Sequence, residues 1–140
     1  MTTIRNYQKT DYSQVASILK EAGLFDDVWD SQENLSGMID KDPEAIIVAQ
    51  QDNCVVGNLL IIPYGKKISY LFRLAVKKEY RKQGIATALI KHAKEIADKR
   101  GISEIGLYVE SDNQDLQTYY MNRGFKISPK SYRYMWKDLN

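Results

Sequence analysis

The chain has 140 residues, 44% hydrophobic and 27% charged, which is the composition of one ordinary globular domain long enough to bury a real core. A net charge of +2 is too small to require a nucleic-acid partner, the single cysteine, Cys54, forbids an intrachain disulfide, and no stretch approaches the roughly eighteen apolar residues of a membrane span. The opening Met-Thr-Thr-Ile-Arg-Asn lacks the features of a signal peptide, so a reducing cytoplasm is the expected compartment, with neither nucleic acid nor membrane as partner.

In chain order, Thr2 to Tyr7 alternates in character and predicts a short strand. Thr10 or Asp11 caps a helix whose apolar residues Tyr12, Val15, Ala16, Ile18, Leu19 and Ala22 share a face, and Gly23 ends it. A loop, Phe25 to Asp30, precedes a second short helix from Ser31 through Asp40, which Asp42-Pro43 closes. Ala45 to Gln50 and Cys54 to Pro63 flank the turn Asp52-Asn53 and read as a hairpin, with Gly57 placed for a bulge.

After the turn Tyr64 to Lys67 comes an aromatic-rich strand ending in Leu74-Ala75-Val76, followed by a basic loop with Lys77, Lys78, Arg81 and Lys82. A helix follows in which Ile85, Ala88, Leu89, Ala93, Ile96 and Ala97 recur at helical spacing. Gly101 terminates it, Ile102 to Val109 is a further strand, and Asn113 opens a last helix ending in Asn122-Arg123-Gly124. In the tail, Tyr132, Tyr134 and Trp136 alternate as a strand does. No linker, repeat or low-complexity segment interrupts this order, so residues 1–140 are expected to form a single α/β (α+β) domain with a mixed sheet covered by helices.

The chemistry is concentrated where the aromatic strand runs through the basic loop into the helix at Gly84. The first turn of a helix has backbone N–H groups without intrahelical partners, and they present the positive end of the dipole to an anion. Gly84 and Ala86 leave the main chain open to close approach, while Arg81 and Lys82 add mobile positive charge. A dinucleotide fingerprint is excluded because Gly84-Ile85-Ala86-Thr87-Ala88-Leu89 lacks the second and third glycines, and no G-x-x-x-x-G-K-[ST] string occurs. What remains is Arg81-x-x-Gly84-x-Ala86. Together with Asn113-x-x-Leu116-x-x-Tyr119-Tyr120-x-x-x-Gly124-Phe125, it resembles the two motifs of the GCN5-related N-acetyltransferase (GNAT) family, with Leu116 in place of the usual alanine and Tyr119 in place of the usual leucine or phenylalanine.

The resemblance covers nearly the whole chain and implies a mixed central sheet flanked by about four helices, with two central parallel strands that splay apart around acetyl-CoA. It implies that the backbone at Leu74, Ala75 and Val76 bonds the pantetheine arm. The diphosphate would then lie over the turn formed by Arg81, Lys82, Gln83, Gly84, Ile85, Ala86 and Thr87, and Asn113 and Tyr120 would share a helix face toward the cofactor. Tyr120 is then the general acid for the departing thiolate. The two positions at which relatives carry a glutamate base hold Tyr70 and Tyr108, so these fall to the substrate side, and Glu110, on the same side of an ideal strand as Tyr108, is the nearest replacement base beside a chain of water.

Asp26, Asp27 and Trp29 lie in the loop between the first helices, where the resemblance implies that relatives often shape the acceptor pocket, although helix capping and a core tryptophan is the preferred account of them. His92 has no companions at metal-ligand spacing, so no metal is expected. The acceptor is then a small-molecule amine or an amine on a peptide or protein. A ribosomal-protein-type N-terminal acetyltransferase and a non-catalytic CoA-binding regulator are the alternatives. The aromatic tail offers an edge for pairing, so monomer and homodimer are both open.

Overall fold

The computed structural model describes all residues, 1–140, and they fall into two compact units, Met1–Leu107 and Tyr108–Asn140. In the first unit, β1 (Thr3–Asn6), α1 (Tyr12–Glu21), α2 (Gln32–Lys41), β2 (Ile46–Gln51), β3 (Cys54–Tyr64), β4 (Ile68–Val76), α3 (Ile85–Lys99) and β5 (Glu104–Gly106) follow one another. The strands lie in sequence order in one sheet, antiparallel from β1 to β4, with β5 added parallel to β4. The parallel connection requires a crossover, and α3 supplies it.

Side chains alternate across the sheet and both faces are covered, which is why β2 opens on four apolar residues in a row, Ile46 to Ala49. Ile46 and Val48 pack with Val15, Leu19 and Leu35 of α1 and α2, while Ile47 and Ala49 pack with Leu89, Ala93 and Ile96 of α3. The hairpin between β2 and β3 turns through Asp52 and Asn53, both at positive φ (54° and 61°), the geometry a two-residue hairpin favours.

Two register shifts bend β3 against its neighbours, one between Ala49 and Gln50 on the β2 side and one between Asn58 and Leu60 on the β4 side. The first sets Val56 as the extra residue beside Gly57. Gly57 itself is needed for close approach: a Cβ there would meet the Ala75 carbonyl at 3.2 Å and Ile85 and Leu89 of α3 at 3.3 Å.

Several sequence expectations need correction. Asp11 precedes α1 but does not cap it; its carboxylate turns back to the Arg5 guanidinium (2.8 and 3.0 Å) and accepts the Gln8 N–H. The strand expected over Ile102 to Val109 is confined to Glu104–Gly106. The second unit contains one helix, α4 (Gln114–Met121), and the aromatic tail is not a strand: Tyr132, Tyr134 and Trp136 are 75%, 76% and 74% exposed and have no ladder partner. Alternation alone does not make a strand when no second chain segment accepts its hydrogen bonds.

Candidate active site

β4 and β5 are paired at only three positions, Ile68 with Glu104, Ser69 with Ile105 and Tyr70 with Gly106, and β4 then continues without β5 to Val76. The Lys77 N–H donates to the Val56 carbonyl of β3, so by strand alternation Ala75 also faces β3 while Leu74 and Val76 turn their backbone groups to the side that β5 has left. Of the three residues expected to offer free backbone, Ala75 is therefore spent on the sheet. The Val76 carbonyl is taken as well, by Nε of Arg81 at 2.8 Å. Arg81 is thus a tether with two terminal amino groups left over, rather than a mobile charge.

From Val76 the chain makes a single 3-10 turn, Lys78–Tyr80, whose first N–H is held by the Glu21 carboxylate of α1 at 2.6 Å. Lys82 (φ 64°) and Gly84 (φ 80°) then both take the left-handed conformation, two residues apart, and α3 begins at Ile85. Successive turns of this kind gather N–H groups into a concave nest for an anion. The N–H groups of Gln83, Gly84, Ile85 and Ala86 have no hydrogen-bond partner within the chain, and no side chain caps the helix. A Cβ on Gly84 would meet nothing within 4 Å, so it is the positive φ that favours glycine here. The ammonium groups of Lys78 and Lys82 have no carboxylate partner, while that of Lys77 pairs with Glu79 at 3.4 Å.

The loop between α1 and α2 is built around Asp30, a residue that no motif or spacing singles out. Asp30 is 1% exposed, binds the Arg73 guanidinium through both oxygens at 3.1 Å, and accepts the Asp26 N–H at 2.8 Å. Asp26 caps a turn, not a helix: Oδ1 accepts the N–H groups of Val28 and Trp29, and these bonds hold its carboxyl below the usual carboxylate range. Asp27 is exposed. Trp29 is not a core residue; it is 59% exposed, with the Arg73 guanidinium 5.5 Å from its ring centroid. Tyr70 is half-buried on β4, with its ring tilted toward Phe72 at 6.3 Å.

In the second unit, Asn113 caps α4 by accepting the Leu116 N–H at 3.1 Å, so its side-chain oxygen serves the helix. Tyr120 is 8% exposed, its ring set edge-on to Tyr119 and Phe125, and its hydroxyl has no hydrogen-bond partner within the chain. Burial, with Tyr119 adding to it, pushes the phenol above its ordinary value, so it stays protonated through neutral pH. Gly124 (φ 92°) ends the helix as expected. Tyr108 is largely exposed, and Glu110 lies beyond β5 in the turn into α4, where its carbonyl accepts from Asn113 and Gln117; the strand geometry that paired Glu110 with Tyr108 is absent.

The fold is thus an α/β one in which a strand pair parts beside a helix start with unspent N–H donors. The model of the Acetyltransferase (GNAT) family matches residues 3–125, and the chain belongs to that family. N-alpha-acetyltransferase 30 of Schizosaccharomyces pombe is 42% identical over 65 residues, 46% of this chain and 43% of that protein. N-acetyltransferase 8F1 of Rattus norvegicus is 32% identical over 97 residues, 66% of this chain and 44% of that protein. The chain thus spans less than half the length of these relatives. Among solved structures, the PaiA N-acetyltransferase from Thermoplasma acidophilum, in complex with coenzyme A, superposes with a TM-score of 0.83 over 94% of this chain and 93% of that one at 23% identity. The ribosomal-protein-S18-alanine N-acetyltransferase of Escherichia coli gives 0.75 over 91% and 79% at 24% identity. These likenesses establish the shared fold.

Proposed function

We propose that this chain is one N-acetyltransferase domain that moves the acetyl group of acetyl-CoA to a primary amine by direct attack in a ternary complex. The observation that carries the reading is the run of four unspent N–H groups, Gln83 to Ala86, beside the outward edge of β4. A diphosphate is the ligand such a nest suits, and the solved neighbour that holds coenzyme A supports the choice. Thr87 follows in the first turn of α3, and Lys82 with the free end of Arg81 supplies charge.

In the reaction the amine nitrogen attacks the thioester carbonyl, and one outward main-chain N–H of β4, that of Leu74 or of Val76, receives the developing oxyanion. The C–S bond breaks as the C–N bond is kept. Tyr120 gives its proton to the leaving sulfur, and the proton lost by the nitrogen passes through water and restores the phenol. A buried, protonated phenol is fitted to donate in this step.

Acetyl-CoA is expected to raise the melting temperature by linkage, and a panel of primary amines and free-N-terminus peptides is expected to release thiol. Tyr120→Phe should lower turnover roughly a hundredfold while acetyl-CoA affinity stays within about twofold; equal turnover removes Tyr120 from the mechanism. Binding without thiol release from any acceptor identifies a CoA-binding regulator. The 42% identity to an N-alpha-acetyltransferase favours a second reading, a protein or peptide N-terminus as acceptor. A peptide tested with its N-terminus free and then blocked decides that reading.

A further inference from the structure

Side chains far apart in sequence meet where β4 changes register. Arg73 occupies the bulge at φ 58°, a conformation sparsely populated by residues with a Cβ. It is held there from two directions: its carbonyl accepts the buried Asn58 amide at 2.8 Å, and its guanidinium is bound at both ends by Asp30. Asp30 is fixed in turn, since its carbonyl accepts the Tyr12 hydroxyl of α1 at 2.8 Å and its carboxylate accepts the Asp26 N–H. One buried ion pair therefore joins the α1–α2 loop to the irregular point of β4. A buried pair of this kind adds little net stability over apolar residues of equal volume. What it adds here is a fixed backbone at a position that would otherwise relax.

We propose that Asp30 and Arg73 are positioning residues that hold the β4 bulge in the shape that receives the acetyl end of acetyl-CoA, an inference that rests on the acetyl-CoA reading above. With the diphosphate at Gln83 to Ala86, an extended arm running back past Val76 and Leu74 brings its thioester end to Arg73, since each strand residue spans about 3.3 Å. The pair lies outside the diphosphate nest and beside the acetyl group, so coenzyme A, which keeps the nest and the arm but lacks that group, depends on it much less than acetyl-CoA does.

The test uses the full chain and two ligands, acetyl-CoA and coenzyme A, titrated by calorimetry into wild type, Asp30→Asn, Arg73→Gly and the double variant. Arg73→Gly is the safer fold, because glycine accepts the positive φ that arginine is held in. Coenzyme A affinity is expected to stay within about twofold in every variant, which also shows that each is folded, while the ratio of acetyl-CoA to coenzyme A affinity changes about fivefold or more. The double variant should match the single ones, as residues acting as a unit do. An unchanged ratio in Arg73→Gly, with coenzyme A still bound, overturns the positioning role alone. Failure of wild type to bind either ligand overturns the acetyl-CoA reading and this inference with it.

Discussion

Tyr7 carries a buried hydroxyl with no partner: the residue is 3% exposed, and burial, with Asp11 and Tyr12 adding, pushes its phenol up to about 12. Because the folded value lies above the ordinary 10.0, the neutral phenol favours the folded state; that contribution is complete below pH 10 and is lost as pH rises through 12. An orphaned hydroxyl costs desolvation with no bond in return, so Tyr7→Phe is expected to raise stability by about 1 kcal/mol and to remove the alkaline loss. Denaturant melts at pH 8 and pH 11 measure both. Destabilisation at pH 8 would contradict the reading. At this scale the sequence showed types but not partners. The type of Asp26 points to capping, but its partners are the N–H groups of a turn and not of a helix, whereas Asp30 and Arg73 are 43 positions apart and nothing local joins them.

α3 was legible because its apolar period, the glycine before it and the glycine after it all agree, and Ile85, Leu89, Ala93 and Ile96 are buried as the period requires. A glycine inside a strand marks Gly57 as a special position, but the bulge is only part of the reason; the other is the nearness of α3. Gly57→Ala forces its Cβ against the Ala75 carbonyl at 3.2 Å and against two α3 side chains at 3.3 Å. The expected cost is about 1 to 3 kcal/mol in a denaturant melt, and a neutral result would show that α3 is free to move off the sheet. The tail failed for a reason of the same scale. Its period of two survives as a Tyr134–Trp136 stack at 6.0 Å, yet no neighbouring strand completes a ladder.

For the molecule as a whole, the order of strands and helices up to α4 is readable from periodicity and turn residues, because each rests on nearby residues, whereas the parting of a parallel strand pair comes only with the family resemblance that the Arg81-x-x-Gly84-x-Ala86 and Asn113 to Phe125 motifs carry. Which backbone groups of β4 are left over is not readable. That depends on the Lys77 bond to Val56, which turns Ala75 toward the sheet, and on Arg81 taking the Val76 carbonyl. The central claim is that the unspent main-chain donors ahead of α3 hold the diphosphate of coenzyme A. Amide resonances of the isotopically labelled chain, followed by NMR as coenzyme A is added, test it most directly. The expected result is saturable movement largest at Gln83, Gly84, Ile85 and Ala86, abolished when Gly84→Glu places a carboxylate at the nest. Saturable binding that leaves those four amides unmoved, or no binding at all, would contradict it.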